Sequence, residues 1–517
     1  MVPRIGALLA RQARARPERV YVESVEQAAG LTFGELEAAA NRLGHFLRDR
    51  RVKPGDRVSV LTDNSLELVV LFFGVQRYGA AVNPINVEVS ANNVGQILHD
   101  VAPRLVLWSR AIPEALQAVI AAADLPALAF GEQNVTPGPD LLAMLAPFPS
   151  TPLDAPEPDA AAIAIINYTS GSTARPKGVC VSHEAHFHTC HAMAERLGLD
   201  PADRLLECRA LSWASPQTLT LGPTLHAGAT LVLARKFSRS HFFEWSRRYG
   251  VTIAAGVPAI INMLCERPEP VTAADVPSLR FVTSSSAPLA PERQREFERR
   301  YRIPIVQGAG MTEVTGFMAM NPPAAPRPGS IGPAMPDLRA RFVDEAGAVC
   351  EPGREGELVV GGPCMASAYL TERGTLVPIP RDGFRTGDFG YMDGDGYIYI
   401  TGRKKDLIIR GGVNIAPMEI TSVLLAHPSV AEAATLGVPD AVYGEAIVSF
   451  VAARPGERVS AAELLAHCRT RLSAFKVPRE IRLLDAIPTN DRGKVARDAL
   501  ETIWRRSAAP IPGGERS

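Results

Sequence analysis

Apolar residues recur along this chain at two spacings, and the change from one to the other divides it. The first third alternates between helical and strand-like intervals. Leu36, Ala40, Leu43 and Leu47 predict an amphipathic helix, and residues 56–61 read as a strand behind the Lys53-Pro54-Gly55 turn. A helix over 66–78 leads to Gly79, and residues 104–108 form a further strand. This βαβ rhythm argues for a largely parallel sheet flanked by helices. Residues 134–160 are rich in Pro and Asp and read as a surface connection. An apolar run at 161–166 then predicts a short buried strand, with a polar, amphipathic segment after the turn behind it.

The alternation returns between 170 and 330, with strands expected at 229–233, 251–255 and 280–283. Beyond Pro322-Pro323 the strands shorten and turns multiply, as at 356–360 and 397–400, which suggests a small β-barrel-like subdomain. Past Gly402 a compact α+β unit is expected, with strands at 430–438 and 446–452 and a helix at 461–472. The expected class is α/β. A large N-terminal domain covers 1–402, with βαβ subdomains at about 1–160 and 161–330 and a β-rich one at about 331–402. A hinge at 403–406 and a small mobile α+β C-terminal domain over 407–517 come next, with a disordered tail from about 507. No internal repeat is visible.

Composition narrows the class. A chain of 517 residues is too long for one core, so three or four structural units are expected. Net charge is zero, which leaves no electrostatic footprint for nucleic acid or an anionic membrane. Seven cysteines, an odd number without a Cys-x-x-Cys pair, fit reduced thiols rather than a disulfide framework or zinc site. The start of the chain has no apolar signal core, and no apolar run approaches a membrane span. A soluble cytoplasmic enzyme is the expectation.

Four stretches carry candidate chemistry. In residues 168–179, the hydroxyls of Thr169, Ser170, Ser172 and Thr173, the glycines Gly171 and Gly178, and Lys177 suit a polyphosphate. This is not a Walker loop, because Lys177 is followed by Gly178. In residues 307–313, Thr312 and Glu313 follow a Gly-rich turn at a predicted strand end, the edge where open α/β sheets bind ligands. A carboxylate beside bound phosphates implies an intervening cation, so Glu313 predicts Mg²⁺; the plain alternative is a Thr-Glu helix cap. In Arg385-Thr386-Gly387-Asp388 and Gly402-Arg403-Lys404-Lys405-Asp406, an Asp in a tight turn and a nearby Arg suit a ribose. The intervening Asp393-Gly394-Asp395-Gly396 reads as a hairpin turn, lacking the remaining ligands of a calcium loop. Last, Lys494 lies in a polar stretch at 487–497 and alone would be a solvated charge. His183, His186, His188 and His191 spread over more than one helix face without a carboxylate, which favours a partly exposed helix surface over a metal site.

Together these motifs resemble the ANL superfamily of adenylate-forming enzymes, which includes acyl-CoA synthetases, peptide-synthetase adenylation domains and beetle luciferases. The likeness is carried by 169–178, Gly310-Met311-Thr312-Glu313, Thr386-Gly387-Asp388, Gly402-Arg403-x-Lys405-Asp406, Gly411-Gly412-x-Asn414-Ile415-x-Pro417-x-Glu419 and Gly493-Lys494. They stand in the family's order and span nearly the whole chain. The resemblance implies two half-reactions: a carboxylate attacks the α-phosphate of Mg·ATP to give acyl-AMP and pyrophosphate, and a thiol, usually coenzyme A, then displaces AMP. It implies that Thr169, Ser170, Ser172, Thr173 and Lys177 hold the β- and γ-phosphates, with Gly171 and Gly178 shaping the turn. Thr312 would contact the α-phosphate, Glu313 the Mg²⁺, Asp388 and Arg403 the ribose, and Ser286-Ala287-Pro288 would border adenine. Lys494 would reach the acyl carboxylate and the α-phosphate, where positive charge lowers the barrier to joining two anions. Lys405 is the implied hinge, and Gly411-Gly412 would line a tunnel for the pantetheine thiol.

The sequence departs from the family in several places. Ala174 replaces a loop Gly, and Ala309 stands where relatives carry an aromatic residue that stacks on adenine, so what covers the base is open. Trp213 replaces a frequent His at the acyl-pocket boundary, and Ser284-Ser285-Ser286 replaces a Gly-rich turn beside it, near Gly310. Trp213 is either a pocket wall or a packed core aromatic. As a wall it favours a small cyclic, aromatic or branched acid over a long acyl chain. Acyl-CoA ligation is the leading reading, with transfer to an amine or a separate carrier-protein thiol as the alternative. A non-catalytic nucleotide- or acyl-binding protein is remote, since Glu313, Asp388 and Lys494 are all present, and nothing calls for luciferase-like oxidation. A homodimer is compatible with the sequence, and the acid, acceptor and oligomeric state stay open.

Overall fold

The computed structural model describes residues 4–131, 140–154, 158–169, 176–411, 413–440, 442–489 and 495–508. The chain forms two compact units. One comprises Met1–Leu289, Arg295–Ala340 and Val360–Phe384; the other comprises Ala290–Gln294, Arg341–Val359 and Arg385–Ser517. The α/β class expected from the hydrophobic pattern is the class observed.

The first unit holds two eight-stranded sheets. One runs in the order Gly316–Met320, Ile305–Met311, Phe281–Ser284, Ile253–Ala254, Arg204–Glu207, Thr230–Leu233, Val20–Ser24 and Ala29–Thr32. Its interior pairs are parallel and the pair at each edge is antiparallel. The other runs Leu376–Pro378, Ala368–Leu370, Lys177–Ser182, Ile163–Thr169, Ala81–Ile85, Arg57–Leu61, Leu105–Ser109 and Ala127–Phe130. The helix Leu66–Tyr78 is buried from Leu68 to Gln76, which explains why its sequence is apolar on every side rather than on one stripe. Ser65 caps its start through Leu68 N–H, and Gly79, at φ 94°, ends it in the left-handed region that glycine adopts without strain. Among the described residues, no helix is long and apolar enough to cross a membrane.

Three local expectations change. The buried strand is Ile163–Thr169, and beyond the polar turn the chain enters another strand, Lys177–Ser182, not an amphipathic segment. Its Gly-Val-Cys-Val run is buried because it pairs on both sides, with Ile163–Thr169 and with Ala368–Leu370. The 134–160 connection contains a short helix, Leu141–Leu145, capped by Asp140. His183 and His186 are fully buried on the helix His183–Leu197, because that helix is covered on more than one face. Carboxylates do approach the outer two: Asp337 lies 3.4 Å from His188 Nδ1 and Glu195 3.8 Å from His191 Nε2. No group of three or more His, Cys, Asp or Glu among the described residues could hold a metal.

The strands Tyr397–Arg403, Phe384–Met392, Gly356–Gly361 and Arg339–Val343 lie side by side in that order, with most of their residues in the second unit. The hairpin at 393–396 is closed by Asp393 Oδ1, which accepts from the N–H groups of Asp395 and Tyr397. Beyond it the sheet Val413–Ile415, Ile408–Arg410, Gly444–Ala453 and Val430–Asp440, with Glu480–Leu484 added beside Gly444–Ala453, packs against helices at Pro417–Leu425 and Ala461–Arg469. The last described helix is Arg497–Ala508, and the expected tail beyond it lies outside the described residues. None of the seven cysteines, all of them described, is in a disulfide, and all but Cys350 are buried.

Candidate active site

The strands Ile163–Thr169 and Lys177–Ser182 form a hairpin whose final register pair is Thr169 and Lys177. Two of the expected phosphate ligands therefore face each other where the strands end; Ser170, Gly171, Ser172 and Thr173 lie outside the described residues. Gly178 is required by packing as much as by flexibility. A Cβ there would stand 2.9 Å from Leu370 Cβ and 3.1 Å from the Tyr168 ring.

Thr312 and Glu313 come from a different element of the same unit. The strand Ile305–Met311 ends in a short 3₁₀ turn, Thr312–Val314, and the chain reverses through Thr315, at φ 55°, and Gly316, at φ 123°. This reversal is tight: a Cβ on Gly310 would lie 1.6 Å from the Gly316 carbonyl oxygen. Asn321 braces the strand through bonds to the carbonyls of Gln307 and Ser330, at 3.0 and 2.7 Å. Glu313 is held twice from one segment. Ala366 N–H donates to its carbonyl at 2.9 Å, and the Tyr369 hydroxyl donates to its Oε1 at 3.1 Å. Burial and the neighbouring carboxylate both push the Tyr369 hydroxyl up in pKa, so it remains a donor at neutral pH. Tyr369 was not singled out in the sequence, where it is one aromatic in a short strand.

The expected acyl-pocket residues lie at the carboxyl edge of the mostly parallel sheet. Ser284 and Ser285 are buried, while Ser286 is exposed at φ 74°, a left-handed conformation uncommon for a residue other than glycine. Ala287 is half-buried and Pro288 exposed. Trp213 is half-buried and precedes a helix at Ala214–Pro216 that continues into a π-helical stretch, Gln217–Leu221. Gln217 is fixed by mutual side-chain bonds with Asn167, at 3.0 and 3.2 Å. Ala309 is half-buried, opposite Ala319.

In the second unit Asp388 and Arg403 are cross-strand partners, with Arg403 Nε 2.8 Å from Asp388 Oδ1. Asp388 is almost fully buried and Arg403 half-exposed, so the carboxylate is fixed and the guanidinium keeps an outward face. The expected tight turn is instead part of the strand Phe384–Met392, where Thr386 donates to the Leu358 carbonyl and accepts from Asp388 N–H. Thr386, Gly387, Arg403 and Lys404 line a cavity of about 340 Å³. Lys404–Asp406 forms a 3₁₀ turn, in which Lys404 pairs with Glu357 at 3.3 Å and Asp406 with Arg497. Gly411, at φ 59°, donates its N–H to the Tyr443 carbonyl at 2.8 Å. Gly412 and Lys494 lie outside the described residues.

Comparison with known proteins defines the class. Residues 9–370 match the model of the AMP-binding enzymes, and residues 419–494 match that of the AMP-binding enzyme C-terminal domain. The chain belongs to the AMP-binding enzymes of the ANL superfamily of adenylate-forming enzymes. More particularly, its relatives are CoA ligases. It is 38% identical over 507 residues to a sulfoacetate–CoA ligase of Cupriavidus necator, covering 95% of this chain and 96% of that one. It is 32% identical over 513 residues to a long-chain-fatty-acid–CoA ligase of Mycobacterium tuberculosis, covering 98% and 99%. The crystal structure of ATP-bound MatB from Rhodopseudomonas palustris superposes with a TM-score of 0.88 at 28% identity, covering 98% of this chain and all of the other. The protein is an AMP-forming acid–CoA ligase, which activates a carboxylic acid with ATP to an acyl-adenylate and passes the acyl group to coenzyme A.

Proposed function

We propose that Thr169, Ser170, Ser172, Thr173 and Lys177 grip the β- and γ-phosphates, with Gly171 and Gly178 shaping the loop, and that Thr312 contacts the α-phosphate. Asp388 and Arg403 bind the ribose, and Ser286, Ala287 and Pro288 border adenine. The observation that carries the assignment is the double restraint on Glu313, by Ala366 and Tyr369. A fixed carboxylate is a hard oxygen donor of the kind Mg²⁺ selects, and Oε2 is left to serve it. Bound there, Mg²⁺ would neutralise charge on the phosphates.

Lys494 draws the acid's carboxylate toward the α-phosphate and stabilises the charge that builds as they join. Once pyrophosphate has left, a rearrangement centred on Lys405 brings Gly411 and Gly412 into use as the thiol's path, and the thiol displaces AMP.

The acid is compact, drawn from small cyclic, aromatic or branched acids. Trp213 in place of a smaller ring supports this, as does the higher identity to the sulfoacetate ligase than to the long-chain one. The test is to trap the adenylate with ATP and an acid panel, then add coenzyme A, a carrier protein or an amine separately and weigh the products. Highest specificity for a long straight-chain fatty acid would reject the compact pocket, and transfer to an amine in preference to coenzyme A would move the enzyme to the alternative class.

A further inference from the structure

Arg209 stands two residues beyond the strand Arg204–Glu207, at the carboxyl edge where open α/β sheets bind ligands. Ser285 stands one residue beyond Phe281–Ser284, and the strand Ile253–Ala254 lies between the two. The Arg209 side chain spans that gap, with Nη1 donating to Ser285 Oγ at 3.3 Å. Its other edge is locked to Glu207. Nε donates to Oε1 at 2.8 Å and Nη2 to Oε2 at 2.6 Å, while Arg209 N–H also reaches Oε1 at 2.8 Å. Thr220 Oγ1 donates to the same carboxylate at 2.9 Å. Glu207 is fully buried and the Arg209 side chain only 10% exposed.

A buried ion pair is seldom more stabilising than apolar packing of the same volume, so stability alone is a poor reason for this one. The pair does set the guanidinium rigidly. A guanidinium carries five N–H donors, and these bonds use three; one hydrogen on each Nη has no partner among the described residues. Ser284 Oγ, on a residue 2% exposed, also has no hydrogen-bond partner among the described residues. Two donors on one fixed plane suit the oxygens of a carboxylate or sulfonate, a fork that lysine cannot offer. The charge of Glu207 is already spread over four donors, so the remaining edge of Arg209 still favours an anion.

We infer that Arg209 recognises a second anionic group on the substrate, so that the compact acid activated here carries a carboxylate or sulfonate besides the carboxylate that is adenylated. This rests on the acid-activating reading above and names the substrate class within it. Glu207 is the positioning residue that aims the guanidinium.

The test is pyrophosphate release by the full-length enzyme with compact dicarboxylic and sulfonated acids, branched and aromatic ones included, each against the mono-amide in which only the second anionic group is neutralised. The wild type is expected to favour the charged member at least about tenfold in kcat/KM. Arg209→Lys, which keeps the charge and loses the fork, and the double variant Glu207→Gln/Arg209→Gln, which leaves neither charge buried alone, are expected to lose that preference. The loss should appear in KM for the charged acid, with KM for ATP and turnover of the mono-amide unchanged. Equal use of the two members by the wild type, preference for the mono-amide, or an equal loss on both acids in the variants would overturn the inference while leaving acid activation standing. If both variants fail to fold, the wild-type ratio decides. Release with no acid of any kind would sink both readings.

Discussion

The Tyr369 hydroxyl donates to Glu313 Oε1 at 3.1 Å, joining a residue of the strand Ala368–Leu370 to the turn that ends Ile305–Met311. The bond crosses from one eight-stranded sheet to the other, because Ala368–Leu370 pairs with Lys177–Ser182. The stem of the proposed phosphate loop and the carboxylate proposed for Mg²⁺ are thereby set by one framework.

Removing a hydrogen bond to a carboxylate costs about 1.5–3 kcal/mol. Tyr369→Phe is therefore expected to lower kcat/KM for adenylation by about ten- to a hundredfold and to raise the Mg²⁺ concentration giving half-maximal pyrophosphate release. Glu313→Gln should do both more severely. A Mg²⁺ titration of each variant checks this; a slower Tyr369→Phe enzyme with an unchanged Mg²⁺ requirement would reduce the tyrosine to packing.

Residue 405 and residue 494 should separate the half-reactions. Lys405→Pro, in the 3₁₀ turn Lys404–Asp406, is expected to retain pyrophosphate release and to lose thioester formation. Lys494→Ala should do the reverse, with adenylation down by about 10²–10³-fold and near-normal thioester formation from supplied acyl-adenylate. Both steps failing equally in Lys405→Pro, or neither, would remove the hinge from this position.

Acid should loosen the first unit through three histidines. Burial, chiefly, lowers His183 to a pKa of about 4 and His186 and His226 to about 3, against 6.5 when free. Below pH 6.5 the unfolded chain binds protons that the folded chain refuses, so stability is complete above that value and drains away as pH falls toward 4 and then 3. One unit below 6.5, each histidine costs about 1.4 kcal/mol. Denaturant midpoints should drop between pH 7.5 and 5.5, and His226→Gln should flatten the dependence. An identical slope in that variant would place the acid sensitivity elsewhere.

The architecture was readable because its parts obey simple periods. The βαβ rhythm and the shift to short strands beyond Pro322 are both visible in spacing alone. The strand Lys177–Ser182 was hidden because it is bounded by polar residues and flanked on both sides by other strands, so its pattern is a short apolar run without alternation. Thr312-Glu313 and Asp388 could be found because a glycine marks each, although Asp388 lies in the strand Phe384–Met392 and not in the tight turn expected. Tyr369, Arg209 and Glu207 could not, since what distinguishes them is partners 56, 76 and 13 positions away. The burial of His183 and His186 likewise depends on which elements cover the helix, not on the helix itself.

An acyl-adenylate is a mixed anhydride that any nearby thiolate would intercept, and this enzyme carries seven thiols of its own. Burial pushes the thiols of Cys180, Cys208 and Cys364 up to about 12, and that of Cys190 higher still. Cys180 lies in the strand Lys177–Ser182 and Cys208 directly before Arg209, and at neutral pH both stay protonated and unreactive. These two thiols are thus poor traps for the activated acid, which is left to the thiolate that coenzyme A brings.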